Sequence, residues 1–126
     1  MRITQTQFYK KLLGSTGERI AYKYLKKKGY KILEKGYTTK FAEADLIALY
    51  GDLLVFIEVK TRTQTKYGNP GDAVDAKKQR KYCLLAEFYI KAHEEHKERA
   101  VRFDVIEILN GEVNHIVNAF YADDVI

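Results

Sequence analysis

The stretch Glu43-Ala44-Asp45-Leu46-Ile47-Ala48-Leu49-Tyr50-Gly51-Asp52-Leu53-Leu54-Val55-Phe56-Ile57-Glu58-Val59-Lys60 is a pair of apolar runs separated by Gly51-Asp52. Gly-Asp between two such runs predicts a tight hairpin turn, because glycine reaches the positive φ that short hairpin loops need. With a two-residue turn Tyr50 faces Leu53, and counting outward sets Asp45 opposite Glu58 and Glu43 opposite Lys60. A symmetric longer loop keeps that register; an odd one breaks it. Side chains alternate with period two, so Glu43, Asp45, Glu58 and Lys60 are expected on one face. Directly opposed Cβ atoms lie roughly 4.5–5.5 Å apart, close enough for two carboxylates to share a cation. The second run, Leu53 to Val59, is apolar on both faces, which predicts a central strand covered on both sides.

Outward from this hairpin the chain reads as one α/β domain over 1–126. Ser15-Thr16-Gly17-Glu18 has the form of a capping box, with Ser15 at the N-cap and Glu18 at N3. It would open a helix with Ile20, Ala21, Tyr24 and Leu25 at helical spacing, stopped by Gly29. Residues before Leu13 add another turn or stay loose. Tyr30 to Leu33 predicts a short strand, and Thr61 to Gly71, closing on Gly68-Asn69-Pro70-Gly71, a loop. Asp72 can cap a long helix from about Ala73 to His93 whose apolar stripe is Tyr82, Leu85, Ala86, Tyr89 and Ile90. Val101 to Leu109, Asn110-Gly111 and Glu112 to Val117 predict a second hairpin with an Asn-Gly turn. Helix, three strands, helix and two strands make an α/β sandwich over a mixed sheet.

A chain of 126 residues, 46% hydrophobic, with one proline and one cysteine, suits a single folded domain and has no room for a separate cofactor module. A lone Cys83 excludes an intramolecular disulfide and a Cys-based zinc cluster, and its place at the margin of the helical stripe predicts packing. No apolar run approaches the roughly 20 residues of a spanning helix, and the N-terminus lacks the pattern of a secretion signal. A cytoplasmic protein with no membrane partner is the expectation.

The net charge of +5 is unevenly spread: residues 1–81 carry 18 Lys+Arg against 8 Asp+Glu, and residues 82–126 carry 4 against 9. A basic portion interleaved with Tyr9, Tyr22, Tyr24, Tyr30 and Tyr37 suits a polyanion such as DNA. Lys26 and Lys27 then serve as phosphate contacts, or simply as a solvated helix end favoured by the helix dipole. Lys77, Lys78, Arg80 and Lys81 sit near the start of the second helix, where cations oppose the dipole, an arrangement that makes sense if phosphates lie there. Arg62 and Lys66, in the adjoining loop, would be on the same side.

Two close carboxylates repel unless something positive intervenes. Asp45 and Glu58 therefore point to a hard divalent cation, Mg²⁺ or Mn²⁺, held by oxygens with retained waters. Lys60 beside it would orient a water or steady a phosphate, the layout of metal-assisted phosphodiester hydrolysis. The plainer alternative is an ordinary Glu43–Lys60 ion pair, with Asp45 an edge residue.

Asp45 followed thirteen residues later by Glu58-Val59-Lys60 matches the pattern of the PD-(D/E)XK nuclease superfamily. The wider set is Gly17-Glu18, Gly29-Tyr30, Ala42-Glu43-Ala44-Asp45-Leu46-Ile47, Phe56-Ile57-Glu58-Val59-Lys60-Thr61-Arg62, Gly68-Asn69-Pro70, Lys78-Gln79 and Arg102-Phe103-Asp104-Val105. In that order, from about Leu13 to Phe120, it resembles the YraN-like family of proposed bacterial endonucleases. The resemblance implies a restriction-endonuclease-like three-layer sandwich, with a central mixed five-stranded sheet flanked by helices, related to Holliday-junction resolvases. It also implies that Asp45, Glu58 and the Val59 carbonyl ligate the metal, and that Lys60 positions the nucleophilic water. Glu18 would approach the cluster from the first helix, besides or instead of capping it, and Glu43 would join the metal shell or pair with Lys60. Gln79 would support the lysine or touch a phosphate. One departure is Ala42 where the family usually has glycine.

The function expected is a metal-dependent endonuclease acting on DNA, branched or otherwise structured, for which a two-fold dimer would be sensible. The alternatives are a nucleic-acid-binding module of the same fold without useful catalysis, and an interaction protein using its acidic C-terminal portion. His93-Glu94-Glu95-His96 lacks the spacing of a zinc protease helix and is expected to be a solvated helix end, and Gly14-Ser15-Thr16-Gly17 lacks the lysine of a phosphate-binding loop. Asp104, between Phe103 and Val105, predicts a buried structural acid whose partner is not evident.

Overall fold

The computed structural model describes residues 5–62 and 75–120, with side chains from Thr16 onward. Its elements are α1 (Gln5–Lys27), β1 (Lys31–Thr38), β2 (Glu43–Tyr50), β3 (Leu53–Arg62), α2 (Ala76–Ala92), β4 (Val101–Leu109) and β5 (Glu112–Phe120). The first hairpin turns at Gly51, whose φ of +59° is the conformation glycine adopts without strain. From there Tyr50 pairs with Leu53, Leu49 with Leu54, and so on to Leu46 with Ile57, the register expected from a two-residue turn. The second hairpin turns at Asn110 (φ +50°) and Gly111 (φ +82°), and Leu109 pairs with Glu112.

The strands form one five-stranded sheet in the order β1-β2-β3-β4-β5. β3 and β4 are parallel and every other neighbouring pair is antiparallel, so the sheet is mixed, as expected. A parallel pair cannot be joined by a tight turn, so the chain crosses over through α2 between them. β3 is the central strand, and its residues Leu54, Val55, Phe56 and Ile57 are at most 1% exposed. One face packs Leu54, Phe56, Phe103 and Val105 against Tyr82, Leu85, Ala86 and Tyr89 of α2. The other packs Val55, Ile57, Ile106 and Ile108 against Ala21 and Leu25 of α1. Three layers with a doubly covered sheet result. No helix among the described residues is long and apolar enough to cross a membrane.

Several local expectations change; Thr61 and Arg62, expected to begin a loop, continue β3, where pairing with β4 carries the strand on. α1 runs unbroken from Gln5, so Ser15 and Glu18 lie inside the helix and the capping-box reading fails. The local signal was outweighed by the gain from extending a helix already nucleated. α2 begins after Asp75, whose Oδ1 accepts the Lys78 N–H at 2.8 Å, so the cap is Asp75 and not Asp72, which lies outside the described residues along with Gly68, Asn69 and Pro70. β1 continues to Thr38, well past the expected Leu33, because the edge of β2 supplies hydrogen-bond partners that local propensity does not register. The histidines after α2 are also less solvated than expected: His96 is 6% exposed and its Nδ1 accepts from Arg99 Nε at 3.0 Å.

Candidate active site

The pairing of β2 with β3 runs from Tyr50–Leu53 as far as Leu46–Ile57. At the next position the Asp45 carboxylate takes the place of a backbone acceptor: its Oδ2 receives the Val59 N–H at 2.7 Å. The pleat also changes there. Leu46 packs under α1 and Ile47 under α2, yet Ala44 packs under α2 as well, so alternation breaks across Asp45. On β1, Gly36 lies between the residues paired with Leu46 and Ala44 and has a φ of +63°. The period-two argument therefore holds from Leu46 to Tyr50 and stops at Asp45. Glu43 pairs in register with Thr38 of β1 instead of with Lys60, and the expected Glu43–Lys60 ion pair is replaced by Lys60 Nζ at 3.1 Å from Glu58 Oε1.

Asp45, Glu58 and Glu43 nevertheless line one cleft of about 480 Å³, together with Lys77, Lys78, Lys81 and Tyr82 of α2. Glu58 is only 5% exposed. Its Oε1 is contacted by the ammonium groups of both Lys60 and Lys78, whereas its Oε2 is buried with no hydrogen-bond partner among the described residues. Burial pushes the Asp45 carboxyl up to about 6; the Val59 N–H opposes the shift, and the neighbouring acids Glu18, Glu58 and Glu43 add to it. Burial, and then Glu43, likewise raises Glu18. Burial drives the Tyr82 hydroxyl upward too, with Glu58, Asp45 and Glu43 adding to it. Burial pulls the Lys78 ammonium down, but its hydrogen bond to Glu58 and the charge there outweigh burial and leave it raised.

α1 brings Glu18 to this cluster, and Gly17 is the reason it can come so close. A Cβ on Gly17 would overlap the Thr61 side chain of β3, so only glycine lets the helix backbone seat there. Of the cations expected at the site, Lys77, Lys78 and Lys81 line the cleft. Gln79 is in the first turn of α2, its N–H on the Asp75 carbonyl. Arg62 is tied to the buried Glu107, Nε to Oε2 at 3.4 Å. Lys26 and Lys27 are exposed at the end of α1, about 13 Å of helix rise beyond Glu18, and do not line the cleft. Lys66 lies outside the described residues.

The contact between Lys78 and Glu58 was not foreseen. Its sequence signal was available: Lys78, Tyr82, Leu85 and Tyr89 follow one another at helical spacing, so Lys78 continues the buried stripe of α2. A lysine at the end of an apolar stripe faces whatever lies at that edge of the sheet, here an acid.

Among the described residues no three His, Cys, Asp or Glu side chains form a ready-made metal cage. Mg²⁺ does not require one, since it is held by one or two carboxylates and keeps several waters. The donors among the described residues fit such an ion: hard oxygens only, a buried Glu58 Oε2 without a partner there, and an Asp45 whose acidic neighbours call for positive charge. Asp45 and Glu58 are the carboxylates that would hold it; Val59, whose carbonyl the resemblance implies as a further ligand, is not among the residues lining the cleft.

A second buried acid lies under the α1 layer. Asp104, 2% exposed, receives Arg102 Nε and Nη2 at 2.8 Å each, His115 Nε2 at 2.7 Å and the Asn118 N–H at 2.9 Å. Arg102 Nη2 also donates to the Tyr30 hydroxyl at 2.7 Å, and the Tyr24 hydroxyl meets His115 Nδ1 at 3.1 Å. These are the partners the sequence did not reveal. Burial alone would raise Asp104, but the His115, Arg102 and Asn118 hydrogen bonds outweigh it and hold the carboxyl below its ordinary value.

Comparison with known proteins agrees with this core. The model of "Uncharacterised protein family UPF0102" matches residues 17–108, from Gly17 within α1 to the end region of β4. A UPF0102 protein of Caldanaerobacter subterraneus subsp. tengcongensis is 53% identical over 118 residues, covering 88% of this chain and 96% of its own length. One from Thermodesulfovibrio yellowstonii is 49% identical over 109 residues, with 86% and 96% covered. One from Clostridioides difficile is 44% identical over 109 residues, with 85% and 95% covered. The chain belongs to the UPF0102 family, the YraN family that its Asp45 and Glu58-Val59-Lys60 segments resemble.

Proposed function

We propose that this protein is a metal-dependent nuclease that hydrolyses phosphodiester bonds in DNA, acting in the cytoplasm. The observation that carries the reading is Glu58 Oε2: a nearly buried carboxylate oxygen with no donor among the described residues, in the same cleft as Asp45. Natural folds rarely leave such an atom unmet, and a bound cation is a direct way of meeting it. A divalent ion there would lower the pKa of a bound water and polarise the phosphate. Lys60, held on Glu58, orients the nucleophile. Lys78 secures the same carboxylate, and Lys77 and Lys81 attract the phosphate chain to the mouth of the cleft. Glu18 and Glu43 add negative charge that favours cation capture.

One observation favours a second reading. Lys60 and Lys78 already neutralise Glu58 from within the protein, as expected of a binding module that keeps the fold without using a metal. Incubation of branched, nicked and single-stranded DNA with Mg²⁺ or Mn²⁺ separates the two. Cleavage that needs the metal and disappears in Glu58→Ala supports the nuclease. Tight binding with no cleavage in either metal supports the module, and binding of neither DNA nor RNA eliminates both.

A further inference from the structure

Asp45 also borders a second, smaller cleft of about 210 Å³ on the α1 side, lined by Glu18, Arg19, Tyr22, Lys35, Asp45 and Leu46. Its lining carries two acids, Glu18 and Asp45, and two bases, Arg19 and Lys35. The Lys35 ammonium lies 3.9 Å from the centroid of the Tyr22 ring, and that of Lys26 lies 5.3 Å from the same centroid. Arg19 is exposed one residue after Glu18. Among the described residues Arg19, Lys26 and Lys35 enter no ion pair, whereas Lys60, Arg62, Lys78, Arg99 and Arg102 each have a carboxylate partner. A tyrosine face eases the crowding of ammonium groups only modestly, so the exposed Arg19, Lys26 and Lys35, which form no ion pair with Glu18 or Asp45 among the described residues, favour an incoming anion on their own side of the cleft. With the ring already engaged by ammonium groups, the ligand chemistry that fits is phosphate and not a stacked base.

We propose that the Arg19–Tyr22–Lys35 cleft is a phosphate subsite that holds the nucleic-acid strand on the far side of Asp45 from Lys77 and Lys81. This rests on the nuclease reading above. A strand entering along α2 would cross the Asp45–Glu58 cluster and leave over α1, held on both flanks of the bond to be cut. Such a grip needs no free strand end and suits internal cleavage. Glu18, electrostatically linked to Asp45, marks the end of the cleft that faces the metal ligands, so the phosphate lies toward Arg19 and Lys35.

The test is binding of the full chain to a fluorescent oligonucleotide, single-stranded and duplex, in EDTA, between about 50 and 200 mM salt. Arg19→Ala/Lys35→Ala should bind duplex about tenfold more weakly and flatten the log–log salt slope by about 1.8, near 0.9 per lost contact. The exposed Lys97→Ala should change neither. Lys35→Met keeps the stem beside Tyr22 while removing the charge, and gives the same readout if the alanine loosens the ring; thermal melts verify that each variant is folded. If the double variant keeps wild-type affinity and slope while Lys77→Ala/Lys81→Ala loses both, the subsite is overturned and the nuclease reading stands. If the wild type binds no oligonucleotide at any salt, both fall together.

Discussion

Glu58 and Asp104 lie on adjacent parallel strands and are almost equally withdrawn from solvent, at 5% and 2% exposure, yet the fold treats them in opposite ways. Asp104 is surrounded by donors: Arg102 takes both oxygens, and His115 and the Asn118 N–H complete the set. Among the described residues, Glu58 shares its cleft with other acids, has cations on one oxygen only, and keeps the other buried and unmet. The Asp104 carboxyl is shifted down and that of Asp45, beside Glu58, is shifted up. This sheet is evidently able to satisfy a buried carboxylate completely. Where it does not, among the described residues, a cation from outside would meet the demand under the proposed reading, and that contrast would separate a structural acid from a functional one.

Breaking the functional side should have the largest effect. Glu58→Ala is expected to reduce Mg²⁺-dependent DNA cleavage by at least about 10⁴-fold in a gel or fluorescence assay. Asp104→Asn should leave the folded fraction active. Equal losses from both variants would remove the distinction.

Stability should rank the two acids the other way. Asp104→Ala leaves Arg102 and His115 without their anion and is expected to lower the unfolding free energy in urea by about 3–5 kcal/mol. Glu58→Gln should change it by less than about 1 kcal/mol, because Lys60 and Lys78, whose side chains are 31% and 36% exposed, can turn to water.

Metal binding sharpens the same contrast. Mg²⁺ or Mn²⁺ at ten times its dissociation constant should stabilise the wild type and Asp104→Asn by about 1.4 kcal/mol in thermal melts, and Glu58→Gln not at all. An equal gain in all three would place the ion elsewhere.

The smallest effect is on the acid limb. Asp104 titrates lower in the folded chain than its ordinary value of 3.8, so the unfolded chain binds more protons in that window. Its contribution is complete above the ordinary value and is lost as pH falls through the folded one. Urea titrations at descending pH should therefore show a loss of stability in wild type that is shallower in Asp104→Asn.

Much of this arrangement was legible in the sequence. Gly51-Asp52 set the hairpin and the double-faced run set β3 at the centre; the counted register held as far as Leu46–Ile57, and Asp45 and Glu58, just beyond it, line one cleft. The count failed at Glu43 and Lys60, because the Asp45 side chain replaces a backbone acceptor and the pleat breaks there. No local pattern distinguishes a ladder hydrogen bond from one made by a side chain. The capping box failed for a related reason: a cap signal inside a chain that can stay helical has no power to start a new helix.

What the sequence determined by itself is what depends on near neighbours: strand period, turn chemistry, the buried stripe of α2 and the acids inside a basic portion. Tertiary structure alone decided which distant groups meet those acids. Gly17 seats α1 against Thr61 and brings Glu18 within the field of Asp45; Lys78 reaches Glu58 from α2; Arg102, His115 and Asn118 converge on Asp104. The physical reason is range. Hydrophobic periodicity records which side of an element is buried, whereas the partner a charge finds depends on the packing of other elements. The same carboxylate becomes a fully satisfied structural anchor, as Asp104, or stays half-satisfied among the described residues, as Glu58, according to the donors the fold brings to it.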